Sequence, residues 1–118
     1  MSDAPILDQA VLDELRDSVG GDESFIADLA ATYLAEGPSH LAAMEAAAAT
    51  ADAAAIVRPA HTLKSSSAAL GAMRLSELAR EIEFAGRNGH DADLATRVAT
   101  ARETWAATVV AMKEAGLA

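Results

Sequence analysis

A chain of 118 residues fits one domain, residues 1–118, and is long enough to bury a core without metals or disulfides. It has no cysteine, which excludes disulfide scaffolds, thiolate metal sites and cysteine nucleophiles, and its formal net charge of -9 opposes binding to nucleic acid or to anionic membrane surfaces. No basic start followed by an apolar block, and no apolar stretch of membrane-spanning length, stands in the sequence, so the cytoplasm is the expected location.

The hydrophobic share of 52% is inflated by alanine, in runs such as residues 46–49 and 53–55. Alanine combines the highest helix propensity with little bulk, which predicts slim, closely packed helices. No segment alternates with period two, so the chain reads as all-α.

After a polar leader with Pro5, the residues Ile6, Leu7, Ala10, Val11, Leu12 and Leu15 predict a short amphipathic helix. Asp8 is its expected N-cap and Gly20-Gly21 its stop. Asp22 or Ser24 would cap a second helix, with Ile26, Leu29, Ala30, Tyr33, Leu34, Leu41 and Met44 inward, running to about Ala49. Gly37-Pro38 interrupts it, and because the apolar phase continues through both residues, one kinked helix is favoured over two. Asp52 would cap a third helix ending near Leu70-Gly71. Pro59 either bends this helix or opens it at the first helical position, leaving residues 52–58 as a separate turn. A fourth, from about Met73 to Gly86 or Asn88, turns Leu75, Leu78, Ala79, Ile82 and Gly86 inward. The last starts near Asp91 or Asp93 and presents Leu94, Val98, Ala101, Trp105, Val109 and Met112. Short connections between amphipathic segments predict an antiparallel four-helix bundle with the N-terminal helix packed as a lid.

The chemistry concentrates in residues 60–72. On a helix His61 would stand beside Arg58, Lys64 and Ser65, while Ile56, Ala60, Leu63 and Leu70 form the buried stripe about 100° away. The imidazole should therefore face water at the edge of the core. Arg58 and Lys64 would stabilise an anion at the ring and keep the imidazole neutral and nucleophilic, while Ser65 and Ala68 would let another protein approach closely. A plain solvated helix face explains the cations equally well. No two histidines have a one-turn ligand spacing, so no metal is expected. Ser65, Ser66 and Ser67 lack a recognisable base and fit better as small residues at a close approach. Glu81 and Glu83 are two apart and cannot form a carboxylate pair on one helix face. With no phosphate-binding loop or kinase signature, any phosphoryl group must arrive already activated.

The run Ala60-His61-Thr62-Leu63-Lys64-Ser65-Ser66-Ser67-Ala68-Ala69-Leu70-Gly71, extended by Leu75, Leu78, Glu81, Ile82, Glu83 and Gly86-Arg87, and upstream by Phe25-Ile26 to Leu34, resembles histidine-containing phosphotransfer (HPt) domains. The resemblance implies a monomeric carrier in a two-component phosphorelay, with no ATP site or turnover of its own. His61 would be the phosphoacceptor at Nε2 and Lys64 would stabilise phosphoryl charge. The implied partners are response-regulator receiver domains and a hybrid histidine kinase, with Mg²⁺ supplied by the receiver and no cofactor bound here. Two departures stand out: serine at Ser65 where the family has glycine, and Glu83 where some members have glutamine. The expected partner-binding residues are Arg58, Ser65, Ala68, Glu83 and Arg87, with Val11 and Leu15 of the first helix. The alternative is an interaction module that binds a receiver or kinase through the same face without being phosphorylated.

Overall fold

Five helices and no strand make up the described residues, 3–90 and 92–118, of the computed structural model. They are α1 (Gln9–Ser18), α2 (Glu23–Ala49), α3 (Ala53–Ala69), α4 (Met73–Arg87) and α5 (Leu94–Glu114). None is long and apolar enough to cross a membrane.

The first three start where side-chain carboxylates satisfy free backbone N–H groups. Asp8 accepts from Ala10, Asp22 from Ser24 and Phe25, and Asp52 from Ala55. Of the two caps considered for the second helix, Asp22 fills the role, and Ser24 lies within the first turn. Both prolines lie inside helices. α2 continues through Pro38, and α3 runs unbroken from Ala53 past Pro59, so residues 53–58 belong to the His61 helix and do not form a separate turn. Asp93 stands at the start of α5 without a side-chain cap bond, and Asp91 lies outside the described residues.

α3 packs against α2 and α4, and α5 closes the other side against the same two helices. The core between them holds Ile26, Leu41 and Met44 of α2, Ile56 and Leu63 of α3, Leu75 and Ile82 of α4, and Leu94 and Met112 of α5. Leu78 and Val109, expected inward, are only half-buried. Five polar residues are buried: Ser67, which is a small residue at the close approach of α2 and α3, and, not expected there, Ser76, Glu83, Thr104 and Thr108. Each has a partner. Tyr33 and Ser67 share a 2.7 Å hydrogen bond between α2 and α3, and Ser76 Oγ donates to the Lys64 carbonyl at 2.9 Å between α4 and α3. Thr104 and Thr108 donate to carbonyls one turn back on their own helix.

Two glycines set helix separations. A Cβ on Gly37 would stand inside the Trp105 indole, whose ring packs tilted on Tyr33 at 5.1 Å. One on Gly86 would come within 2.7 Å of Ile56 Cγ2 and 2.8 Å of the Ala53 carbonyl, so only glycine lets α4 lie this close to α3.

The leader is tied to the turn between α3 and α4. Asp8 N–H donates to Gly71 O at 2.7 Å, Arg74 N–H to Pro5 O at 2.9 Å and Arg74 Nε to Ala4 O at 2.8 Å. α4 has no side-chain cap of its own, and the Pro5 carbonyl does that work for one of its first-turn donors.

Candidate functional site

The α3 register decides what the site can be. Ile56, Ala60, Leu63 and Ser67 are buried, which turns His61 outward with its side chain 54% exposed. Lys64, one turn on, is half-buried, and Ser65 is exposed beside it. Arg58 is exposed and makes no hydrogen bond or ion pair with any described residue.

From α4, Glu83 reaches beneath the ring. Its residue exposure is only 5%, because Ala79 and Gly86, four positions before and three after, hold that side of the helix against α3. His61 Nδ1 stands 2.8 Å from Glu83 Oε2, and Lys64 Nζ donates to Oε1 at 2.7 Å. Arg87 adds Nη2 at 2.7 Å and Nε at 3.2 Å to Oε2. Burial alone would raise the Glu83 carboxyl, but hydrogen bonds from Lys64, Arg87 and His61, with the Lys64 charge, hold it down at about 2. Glu83 is therefore a carboxylate, which can only accept. The proton on this side of the ring must belong to Nδ1, and in the neutral imidazole Nε2 is left with its lone pair.

This geometry corrects the expectation for Glu83. It is a mostly buried partner of the histidine that reaches only the floor of the cleft, and the ring stands against a carboxylate as well as beside cations. The signal was present in the spacing: position 83 follows Ser76 and Ala79 by seven and four residues, on the buried side of α4. Arg87 remains at the surface, 59% exposed, although its guanidinium is engaged. Ala68 is half-buried on the α3 face. Val11 lies just past the C-terminal end of α3, 3.4 Å from where a Gly71 side chain would begin, and Gly71 is ten residues, about 15 Å, along the chain from His61. Leu15 packs against the core. Phe84, next to Glu83, was not singled out and is 63% exposed, flanked on α4 by Arg80 and Arg87. A shallow cleft lined by Lys64, Arg80, Glu83, Phe84 and Arg87 opens beside the histidine. No group of three or more metal-ligating side chains occurs among the described residues.

An outward imidazole anchored through Nδ1 and flanked by cations is the arrangement an anion-accepting nitrogen needs. The sequence matches the Hpt domain family over residues 28–114. The chain belongs to that family. Its fold is similar to the crystal structure of histidine-containing phosphotransfer protein B (HptB) from Pseudomonas aeruginosa PAO1, with a TM-score of 0.84, 26% identity and 94% of each chain covered. Comparison with curated protein sequences finds no match. In this Hpt domain the matched region takes in all of α3 and α4, and so the whole His61–Glu83 pair.

Proposed function

We propose that this Hpt domain is a phosphoryl carrier in a two-component phosphorelay, accepting a phosphoryl group on His61 Nε2 from a receiver-domain aspartyl phosphate and passing it to another receiver aspartate. The observation that carries this reading is the 2.8 Å bond between His61 Nδ1 and Glu83, on a side chain that is otherwise open to solvent. It occupies one ring nitrogen and aims the other outward. Family membership and the likeness to HptB support the same chemistry.

Phosphoryl transfer between nitrogen and carboxylate oxygen needs an in-line approach and cations for the charge on the equatorial oxygens. His61 supplies the nucleophile. Lys64, one helical turn away, supplies an ammonium within reach of a phosphoryl oxygen, and Arg58 lies free on the same exposed helix. The receiver, in the cytoplasm, brings the Mg²⁺, and a hybrid kinase charges the relay. The protein acts as a monomeric substrate and carrier, without an ATP site or independent turnover. The α2–α5 packing supports an antiparallel four-helix bundle, with α1 and the leader as a lid over the α3–α4 end. Ser65, Ala68 and Arg87 stand where a docking receiver would meet α3 and α4, and Val11 and Leu15 would reach only a broader footprint.

The test is incubation with a phosphorylated receiver. Acid-labile, alkali-stable label is expected on the wild type and not on His61→Gln. Equal labelling of both would sink the assignment, and receiver binding without any labelling would identify a pure interaction module.

A further inference from the structure

The chain has four aromatic residues, and two of them, Tyr33 and Trp105, pack on each other in the core. Phe84 does the opposite: at 63% it is the most exposed large apolar side chain among the described residues. It lies on one stripe of α4 with Glu77 and Arg80, seven and four positions before it, and Arg87, three after. Both arginines are engaged elsewhere, which leaves the ring uncovered. Arg80 donates to Glu77 from Nη2 at 2.9 Å and Nε at 3.2 Å, and Arg87 donates to Glu83 from Nη2 at 2.7 Å and Nε at 3.2 Å. The ring also lines the cleft that Lys64, Arg80, Glu83 and Arg87 form beside the histidine, so its apolar surface is continuous with the His61 site.

We infer that Phe84 is the anchor by which a receiver docks, seated in an apolar recess that lies beside the receiver's phosphorylated aspartate and is rimmed by carboxylates. This rests on the carrier reading. A protein interface of standard size covers about 800 Å² on each partner, a disc roughly 16 Å in radius. Phe84 follows Glu83 directly in the chain, and Glu83 bonds to the His61 ring, so a domain that brings its aspartate up to Nε2 covers Phe84 as well. Covering the phenyl ring removes apolar surface from water, and that gain is realised only against a partner surface with an apolar recess to receive it. The flanking guanidinium groups form the polar surround that keeps water away from a buried anchor. In a chain of net charge -9, Lys64, Arg80 and Arg87 make this a locally cationic patch, which matches carboxylates across the interface and repels a basic surface. Phe84 is thus a specificity-determining residue: it touches the partner and none of the reacting atoms.

The test uses a receiver that binds the wild type, with variants matched to it in helical content. In calorimetric titration, Phe84→Ala should raise the Kd for the receiver about tenfold or more, the effect of truncating an aromatic anchor, while the transfer rate at saturating receiver stays that of the wild type. Phe84→Leu should recover most of the affinity. Labelling of His61 by phosphoramidate, which needs no docking, should be equal in all three. Arg80→Glu should weaken binding by a factor that shrinks as salt is added. A Phe84→Ala protein that binds the receiver as the wild type does overturns the inference and leaves the carrier reading intact. So does one that is slower only at saturation, or slower with phosphoramidate as well, since the ring would then serve the chemistry or the fold. A wild type that is dimeric and becomes monomeric in Phe84→Ala assigns the ring to a second copy of the chain and overturns the inference too. Tighter binding by Arg80→Glu overturns the acidic rim. If Phe84→Ala loses affinity for a receiver that never exchanges a phosphoryl group with His61, the carrier reading fails and the anchor stands.

Discussion

At Glu83 the hydrogen bond to His61 and the acid stability of the fold meet in one side chain. The carboxyl is held at about 2 in the folded protein, against an ordinary value of 4.5, because its hydrogen bonds outweigh the effect of burial. A group lowered in this way binds its proton more readily in the unfolded chain. It therefore contributes stability that is fully present above pH 4.5 and is lost as the pH falls from there through about 2. Urea unfolding of the wild type across this window should show a falling midpoint, and Glu83→Gln should lack that part of the fall. The position of His61 was legible because helical spacing alone turns it outward. For Glu83 the spacing carries its place on the buried side of α4 but not its hydrogen bonds, because a charged residue is ordinarily assigned to solvent and only the approach of α4 to α3 shows that three donors await it.

The elements were legible for a similar local reason. Aspartates at positions 8, 22 and 52 cap helices from within their own few residues, and glycines at 20, 71, 89 and 116 take positive φ just past the helix ends. The end of α2 breaks the pattern with Ala51 at φ 52, a conformation that costs an L-residue about 1–2 kcal/mol. Its N–H still bonds to Ala48 O, and that of Asp52 to Ala47 O, so the turn is formed against the preference of its residue. Ala51→Gly should raise stability by about 1 kcal/mol in chemical denaturation, with no change in phosphoryl transfer. Continuity through the prolines was less legible. A missing N–H predicts disturbance, but the packing of Tyr33, Gly37 and Leu41 on one side of α2 and of Ile56, Ala60 and Leu63 on one side of α3 carries both helices through.

The molecule is elongated, 43 by 25 by 22 Å, and His61, Lys64, Glu83 and Arg87 meet where α3 and α4 run side by side. Gly86 controls that approach. Gly86→Ala must push against Ile56 and the Ala53 carbonyl, and should destabilise the fold by about 1–3 kcal/mol. Because Glu83 stands one turn earlier on the same helix face, the variant should also weaken the Nδ1 hydrogen bond, visible as a shift of the His61 ¹⁵N signals before any loss of helix content. The helix pattern was readable along the chain, but this separation was not, since it depends on what one glycine faces across the interface.

The bonds from the leader to the α3–α4 turn carry a further consequence, for the order of folding. Arg74 Nε and Ala4 O are 70 residues apart in sequence, whereas His61 to Glu83 and Lys64 to Glu83 span 22 and 19. The entropy of closing a loop grows with its length, so the α3–α4 hairpin can assemble at low cost while the leader is still a free chain. The His61–Glu83–Lys64 cluster belongs to the early, local portion of the fold, and the leader is a late clasp that seals the first turn of α4.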